Sequence, residues 1–338
     1  MRLNAALNFF PPMSTTATPS TLSVRVLAKR AEAEGICSLE LVSADGRELP
    51  AFSAGSHIDL HLPNGLVRQY SLCNHPEERH RYVVAVLRDP GSRGGSAAVH
   101  ELLQEGDVLP ISAPRNHFHL VPAQHTILLG GGIGVTPILC MAERLAQTHA
   151  HFEMHYCTRE PLRTAFQQRI AASSFASRVS YHFDSGAPEQ KLDARTTLGS
   201  PDAGKHLFVC GPNGFMDWIV GTARELGWAE DNIHREYFAA ADLDTSSDGS
   251  FQVRIASNGA VLTVQKDESI TQVLEANGFD LPLSCEQGVC GTCLTRVLEG
   301  EIDHRDMFLT DAERARNDQF TPCVSRAQTG CQTLVLDL

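Results

Sequence analysis

Residues 284–293 read Ser284-Cys285-Glu286-Gln287-Gly288-Val289-Cys290-Gly291-Thr292-Cys293, and a further cysteine, Cys323, stands well downstream. The spacing C-x4-C-x2-C with a distant fourth cysteine is the ligand pattern of plant-type [2Fe–2S] clusters. Three thiolates converge on one small cluster only if the chain turns sharply between them, and Gly288 and Gly291 stand where a Cβ would crowd those turns. Zinc is the alternative, but a zinc site normally presents two closely spaced ligand pairs, and here the fourth cysteine is alone. A disulfide framework suits short secreted chains rather than one of 338 residues. Cys285, Cys290, Cys293 and Cys323 are therefore the candidate metal ligands.

Around this loop, Phe251-Gln252-Val253-Arg254-Ile255 and Val261-Leu262-Thr263-Val264 flank Asn258-Gly259, a hairpin signal. A helix is expected from about Ser269 to Ala276, and Thr333-Leu334-Val335-Leu336 closes the chain as a strand. Upstream, residues 239–250 are small, acidic and serine-rich, the composition of a linker. Between residues 21 and 120, Thr21–Leu27, Ser56–Leu62 and Arg81–Leu87 alternate with near period-two polarity. Asp45-Gly46, Pro63-Asn64-Gly65 and Pro90-Gly91 punctuate them, which suggests a small antiparallel barrel or sandwich. From Gln124 the pattern changes. His125–Leu129, Phe152–Cys157 and His206–Cys210 read as buried strands, and Ile138, Leu139, Met141, Ala142, Leu145 and Ala146 recur at helical spacing between the first two. That alternation indicates a parallel sheet with helices on its faces. There are no internal repeats.

The formal net charge of −12 leaves no basic field to hold nucleic acid. Residues 251–338 alone carry 13 Asp/Glu against 7 Lys/Arg, a balance of −6, which is either a solubility device or a docking face for a basic partner. No stretch approaches the ~20 apolar residues of a membrane span. Residues 1–20 lack a secretory apolar core and read as a disordered leader, with Met13 as an alternative start. Ten scattered cysteines without a signal peptide favour a reducing cytoplasm.

Four further motifs carry chemistry. Gly130-Gly131-Gly132-Ile133-Gly134-Val135-Thr136-Pro137 joins the first parallel strand to its helix, where glycines admit a phosphate and the helix start offers N–H groups. Thr136 suits an N-cap and Pro137 the first helical position. This departs from the dinucleotide fingerprint, whose sixth position is Gly or Ala, and a merely tight turn is the competing reading. Arg68-Gln69-Tyr70-Ser71 offers a phosphate-binding arginine and an aromatic face, and Gly91-Ser92-Arg93-Gly94-Gly95-Ser96 a backbone nest; each is equally at home as ordinary surface. Cys210-Gly211-Pro212 ends a parallel strand at the edge where open sheets bind ligands, or is a buried cysteine before a turn. His117-x-His119, His149-x-His151 and the His57/His61 pair lack accompanying ligands and read as surface or structural. Neither a Gly-x-Ser-x-Gly elbow nor a His-Glu-x-x-His motif is present.

The joint order of these motifs, together with His304-Arg305-Asp306-Met307 and Val324-Ser325-Arg326-Ala327 around the fourth cysteine, resembles the phthalate dioxygenase reductase family from about residue 20 to the last. The resemblance implies three domains: an FMN-binding antiparallel β-barrel (21–122), an α/β parallel-sheet NAD-binding domain (123–238) and, after the linker, a β-grasp [2Fe–2S] ferredoxin domain (251–338). It implies that Arg68, Gln69, Tyr70, Ser71, Ala85, Val86, Leu87, Gly94, Gly95 and Ser96 hold FMN. Thr136 would lie near the flavin ring and Phe238 would cover it. Gly131, Gly132, Gly134, Pro137, Cys210, Gly211 and Pro212 would hold the dinucleotide and place its nicotinamide. Thr158-Arg159 ends the second parallel strand without the acidic residue that reads a ribose 2′-hydroxyl, yet members with a similar Thr-Arg are NADH-dependent.

The implied activity is NADH-dependent reduction of a Rieske-type aromatic-ring oxygenase or O-demethylase by a cytoplasmic, monomeric electron shuttle. FMN accepts a hydride and releases electrons singly, which the cluster requires. Two rivals are a ferredoxin-type carrier without NADH turnover and a flavin-binding redox sensor.

Overall fold

The computed structural model describes residues 21–238, 245–246 and 248–338. The expected leader and most of the expected linker lie outside the described residues.

The first unit is antiparallel. Strands β1 (Leu22–Ala33), β2 (Ile36–Ser43), β3 (Ser56–His61), β4 (Val67–Ser71) and β5 (Tyr82–Leu87) precede a short helix α1 (Gly95–Glu101), β6 (Val108–Ile111) and β7 (Arg115–Asn116). The sheet order is β4-β3-β6-β1-β2-β5, with β7 beside β3. A bridge between Leu72 and Val84 joins the open edges into a barrel. The sequence reading missed β2 and the length of β1. Their pairing is interrupted by register shifts between Val26 and Ala28 and between Ala31 and Ala33, which break the simple alternation that periodicity detects.

The second unit comprises β8 (His125–Gly131), α2 (Val135–Gln147), β9 (Phe152–Thr158), α3 (Gln167–Ala171), β10 (Val179–Phe183), α4 (Ala194–Leu198), β11 (Lys205–Cys210), α5 (Asn213–Glu225) and β12 (Ile233–Glu236). All neighbours are parallel, in the order β10-β9-β8-β11-β12. The order reverses between β8 and β11, so their carboxyl ends frame the crevice where such sheets take ligands. Two of the five strands, β10 and β12, were not anticipated. Thr136 is also corrected: Gly134 occupies the cap position of α2, and the Thr136 hydroxyl donates to the Ile133 carbonyl at 3.1 Å.

The third unit holds β13 (Phe251–Ile255), β14 (Val261–Val264), α6 (Ile270–Ala276), β15 (Thr295–Glu299), β16 (Ile302–Asp303), α7 (Asp311–Arg316), β17 (Gln319–Phe320), β18 (Arg326–Ala327) and β19 (Thr333–Leu336). Its main sheet runs β14-β13-β19-β15-β17, with β13 and β19 parallel. Ser269 caps α6 by accepting from the Gln272 N–H, and Gln272 returns a bond to the Ser269 N–H. Ile270, Val273 and Leu274 then face a core closed by Val253, Ile255, Val297, Phe320, Leu334 and Leu336. This is the sheet-plus-helix arrangement of a β-grasp.

Candidate functional site

The cysteine loop connects α6 to β15, and all four candidate ligand side chains are buried. They fall into two pairs. The sulfurs of Cys293 and Cys323 lie 3.4 Å apart, and Cys285 hydrogen-bonds with Cys290. In each pair one sulfur is favoured as thiolate. The bond from Cys285 brings Cys290 down to about 6, and contact with Cys323 lowers Cys293. Backbone N–H groups of Gln287 and Thr292 point at the Cys285 and Cys290 sulfurs from 3.3 and 3.5 Å. Gly288 and Gly291 have φ of +69° and +66°, and a Cβ on either would lie within 2.5 Å of Val324 or Phe308. Glu286 is held left-handed as well, at φ 53°, backbone strain of the kind that concentrates at functional sites. Among the described residues no set of three or more His, Cys, Asp or Glu is arranged to hold a single metal ion. Two pairs of buried sulfurs, one of each pair favoured as thiolate, fit a dinuclear cluster with two cysteines per iron.

This loop lies against the barrel. Arg68, on β4, reaches the Ser284 carbonyl with Nη1 at 3.5 Å, and Arg93 donates to the Cys285 carbonyl at 2.7 Å. Glu286 faces both arginines, at 3.9 and 3.8 Å. Gly95 opens α1 against the Arg68 side chain, whose Cγ would be 2.6 Å from a Cβ there. Gly94 takes φ +92° and its carbonyl accepts from Asn64. The arginine, the tight turn and the cysteine loop thus meet on one face. Arg93 belonged to the predicted nest but was not singled out as a site residue.

At the other side of β4, Ser71 meets the crevice of the parallel sheet. Register places Gly130, Cys210 and Glu236 side by side on β8, β11 and β12. The Ser71 hydroxyl donates to Glu236 Oε2 at 3.3 Å. Enclosure between barrel and sheet pushes the Glu236 carboxyl up to about 8, despite that bond. Burial also pushes the Cys210 thiol well above its ordinary value. The two glycine turns touch: a Cβ on Gly134 would sit 2.3 Å from the Cys210 carbonyl oxygen, and one on Gly211 3.0 Å from Gly131 Cα. Thr136 and Pro137 are buried beneath this contact.

The remaining predicted residues are dispersed around this centre. Gln69 and Tyr70 are half-buried on β4. Ala85 and Val86 are buried on β5, Ala85 toward α2 and Val86 inside the barrel, while Leu87 is partly exposed. The Ser96 hydroxyl accepts from the Asp89 N–H. Thr158 is turned inward, 2.8 Å from the Thr164 hydroxyl, and Arg159 is exposed at the end of β9. Gly132 takes φ +53°, Pro212 is exposed and Phe238, two residues past β12, is 37 % exposed. His57 and His117 lie 5.3 Å apart at a tilt of 31°, and His117 meets Phe308 edge-on. Sequence reasoning missed Glu236, which only the register of the unanticipated β12 brings beside Cys210.

Comparison with known proteins agrees with this arrangement. The family described as 2Fe-2S iron-sulfur cluster binding domain matches residues 253–335. The vanillate O-demethylase oxidoreductase of Pseudomonas sp. (strain HR199 / DSM 7063) is 54 % identical over 318 residues, 94 % of this chain and 100 % of that one. The phthalate dioxygenase reductase of Burkholderia cepacia is 38 % identical over 330 residues, 96 % of this chain and 100 % of that one. A solved phthalate dioxygenase reductase, described as a modular structure for electron transfer from pyridine nucleotides to [2Fe–2S], superimposes with a TM-score of 0.73 and 38 % identity, covering 94 % of this chain and 98 % of that one. Identity at this level along nearly the whole chain, with the cysteine loop, barrel and parallel sheet in the same order, places the chain in the phthalate dioxygenase reductase family, together with the vanillate O-demethylase oxidoreductases.

Proposed function

We propose that the chain is an NADH-dependent reductase that passes electrons by way of FMN and a [2Fe–2S] cluster to a Rieske-type oxygenase or O-demethylase acting on an aromatic compound. The carrying observation is the position of β4. Arg68 at one end touches the cysteine loop, and Ser71 at the other touches Glu236 in the sheet crevice. Residues of β4 would hold the flavin between the sheet crevice at Ser71 and the cysteine loop at Arg68. When bound, FMN supplies the conversion between a two-electron hydride and single electrons.

The chain's own residues position and shield. Arg68 with the Gly94-Gly95-Ser96 turn suits the FMN phosphate, an anion that a guanidinium holds bidentately. Gln69, Tyr70, Ser71 and the β5 backbone at Ala85, Val86 and Leu87 would hold the flavin, and Phe238 would shield it. Gly131, Gly132, Gly134, Thr136, Pro137, Gly211 and Pro212 shape the dinucleotide crevice. Cys210 and Glu236 stand at its floor, where Glu236 keeps its proton near neutrality and adds no fixed charge beside the pyridine ring. Thr158 and the exposed Arg159 bound the ribose end, and likeness to NADH-dependent members favours NADH. Cys285, Cys290, Cys293 and Cys323 hold the cluster. We place the functional divisions at 21–122, 123–238 and 251–338, and take the acceptor to be a separate oxygenase protein, since relatives are reductase subunits of oxygenase systems. We take the protein to act as a monomeric cytoplasmic shuttle; among the described residues no helix is long and apolar enough to cross a membrane.

The test is spectroscopic. Purified protein shows flavin and iron–sulfur absorption and reduces cytochrome c with NADH. Cys290→Ser abolishes cytochrome c reduction and leaves flavin bleaching by NADH intact; an unchanged cytochrome c rate in that variant refutes the electron path.

A further inference from the structure

One carboxylate of the barrel is committed to the third unit. Asp59, on β3, is 5 % exposed, and Ser284, the residue before the first cluster cysteine, is 2 % exposed. The Ser284 hydroxyl donates to Asp59 Oδ1 at 2.9 Å. Asp59 Oδ2 accepts from Arg115 Nη2 at 2.6 Å, and the same nitrogen lies 3.5 Å from the hydroxyl of Thr292, the residue before Cys293. Asp59 thus reaches both ends of the cysteine loop, one end directly and the other through Arg115. Its own position is rigid. The Asp59 N–H donates to Ser112 Oγ, and the Asp59 carbonyl accepts from the Ser112 N–H at 3.0 Å. β3 lies inside the sheet between β4 and β6.

We propose that Asp59 is a positioning residue that latches the [2Fe–2S] loop onto the flavin barrel. The proposal rests on the functional reading above, because a latch there fixes the separation between flavin and cluster. A buried carboxylate is used for physical reasons. Its two oxygens take a hydroxyl and a guanidinium at once, and bonds to a charged acceptor are the stronger kind. Enclosed charges are also screened little by salt, unlike the exposed pairs that Glu286 makes with Arg68 and Arg93. Registration of the loop depends on that bond, whereas the fold of the barrel does not: β3 keeps its backbone ladder to β4 whatever the side chain at residue 59.

Hydrogen exchange by mass spectrometry on holoprotein tests this, with parent, Asp59→Ala, Ser284→Ala and the double variant compared. The latch predicts that each single variant exchanges faster by about 10- to 100-fold in peptides spanning 283–293 and 111–118, the range expected for loss of a bond to a charged group. It also predicts that the double variant goes no further than the worse single one, because both remove the same bond. In stopped-flow mixing with NADH, cluster bleaching slows in the variants and flavin bleaching keeps its rate. Parent-like exchange in both peptides overturns the proposal. So does flavin bleaching that falls together with cluster bleaching, which would make Asp59 a residue of barrel integrity. If the parent shows no flavin bleaching by NADH, the functional reading fails, and the exchange data still judge the latch.

Discussion

Replacing Glu236 with glutamine should change how stability depends on pH. The carboxyl rises from 4.5 to about 8 on folding because the barrel and sheet enclose it. A group whose folded value is raised adds nothing unfavourable below its unfolded value. Between pH 4.5 and about 8 the unfolded chain sheds this proton and the folded chain retains it, so stability falls steadily across that window and levels off above it. At 1.36 kcal/mol per unit, the full loss is about 5 kcal/mol. Glu236 is intermediate in exposure rather than fully buried, and water reaching it screens part of the cost, so about 2–3 kcal/mol is the expected figure. Glutamine has the shape of the protonated acid and cannot ionise. The parent and Glu236→Gln should therefore be similarly stable at pH 4.5 and diverge in favour of glutamine up to pH 8. The gap should then stay constant to pH 9. Urea unfolding at pH 5, 6.5, 8 and 9, followed by flavin release and by far-UV circular dichroism, measures this. Parallel stability curves for the two proteins would show that the carboxyl is not held protonated.

Three other substitutions test separate parts of the structure. Gly134→Ala puts a Cβ 2.3 Å from the Cys210 carbonyl oxygen and 2.4 Å from its carbon; both are backbone, so strain of about 1–3 kcal/mol should appear as a lower Tm and weaker NADH binding. An unchanged NADH titration would disconnect this turn from the dinucleotide. Gly291→Ala pays about 1–2 kcal/mol for a left-handed backbone and meets the Phe308 ring at 2.3 Å. Iron and sulfide content should drop, and adding Phe308→Ala should recover only the part due to the ring. Ser269→Ala removes the cap on the Gln272 N–H and should lower stability of the C-terminal unit by about 1 kcal/mol, with flavin bleaching by NADH unaffected.

What was legible in the sequence is what depends on neighbours along the chain. The C-x4-C-x2-C spacing, the hairpin at Asn258-Gly259, the helix from about Ser269 and the glycine turn before α2 are all written within ten residues. β10 and β12 were invisible because they are edge strands: Val179–Phe183 and Ile233–Glu236 mix polar and apolar side chains and bury only part of each. β2 was lost for the opposite reason, being a nearly continuous buried run beside a bulged partner. Glu236 and Asp59 carry no local signal, since their partners Ser71 and Ser284 lie 165 and 225 residues away. A carboxylate of either kind looks like ordinary surface until the fold encloses it.

The way the cores are shared separates the contacts expected to stay closed from those able to open. The barrel and the parallel sheet do not have independent interiors: Ile36, Ala54, Cys73, Val83, Ala85 and Phe118 pack in one cluster with Val135, Ile138, Leu139 and Met141 of α2. Separating those units would expose that apolar surface to water, at about 25 cal/mol per Å², so the crevice between Ser71 and Glu236 is held by a continuous core. The third unit differs. Its own core draws only on residues 251–338, and it meets the barrel through hydrogen bonds and ion pairs at Arg68, Arg93, Asp59 and Arg115, with a ring contact at His117. These polar contacts hold the joint without a shared apolar core, so opening it hands their groups to solvent and uncovers no hydrophobic face. On the proposed reading, hydride delivery, which needs a fixed stacking geometry, would fall where the interior is continuous. An electron carrier that must also meet an outside protein sits where the joint can be remade. Detachment of the third unit under moderate denaturant, with the crevice still competent to bleach flavin, is the behaviour this division of cores requires.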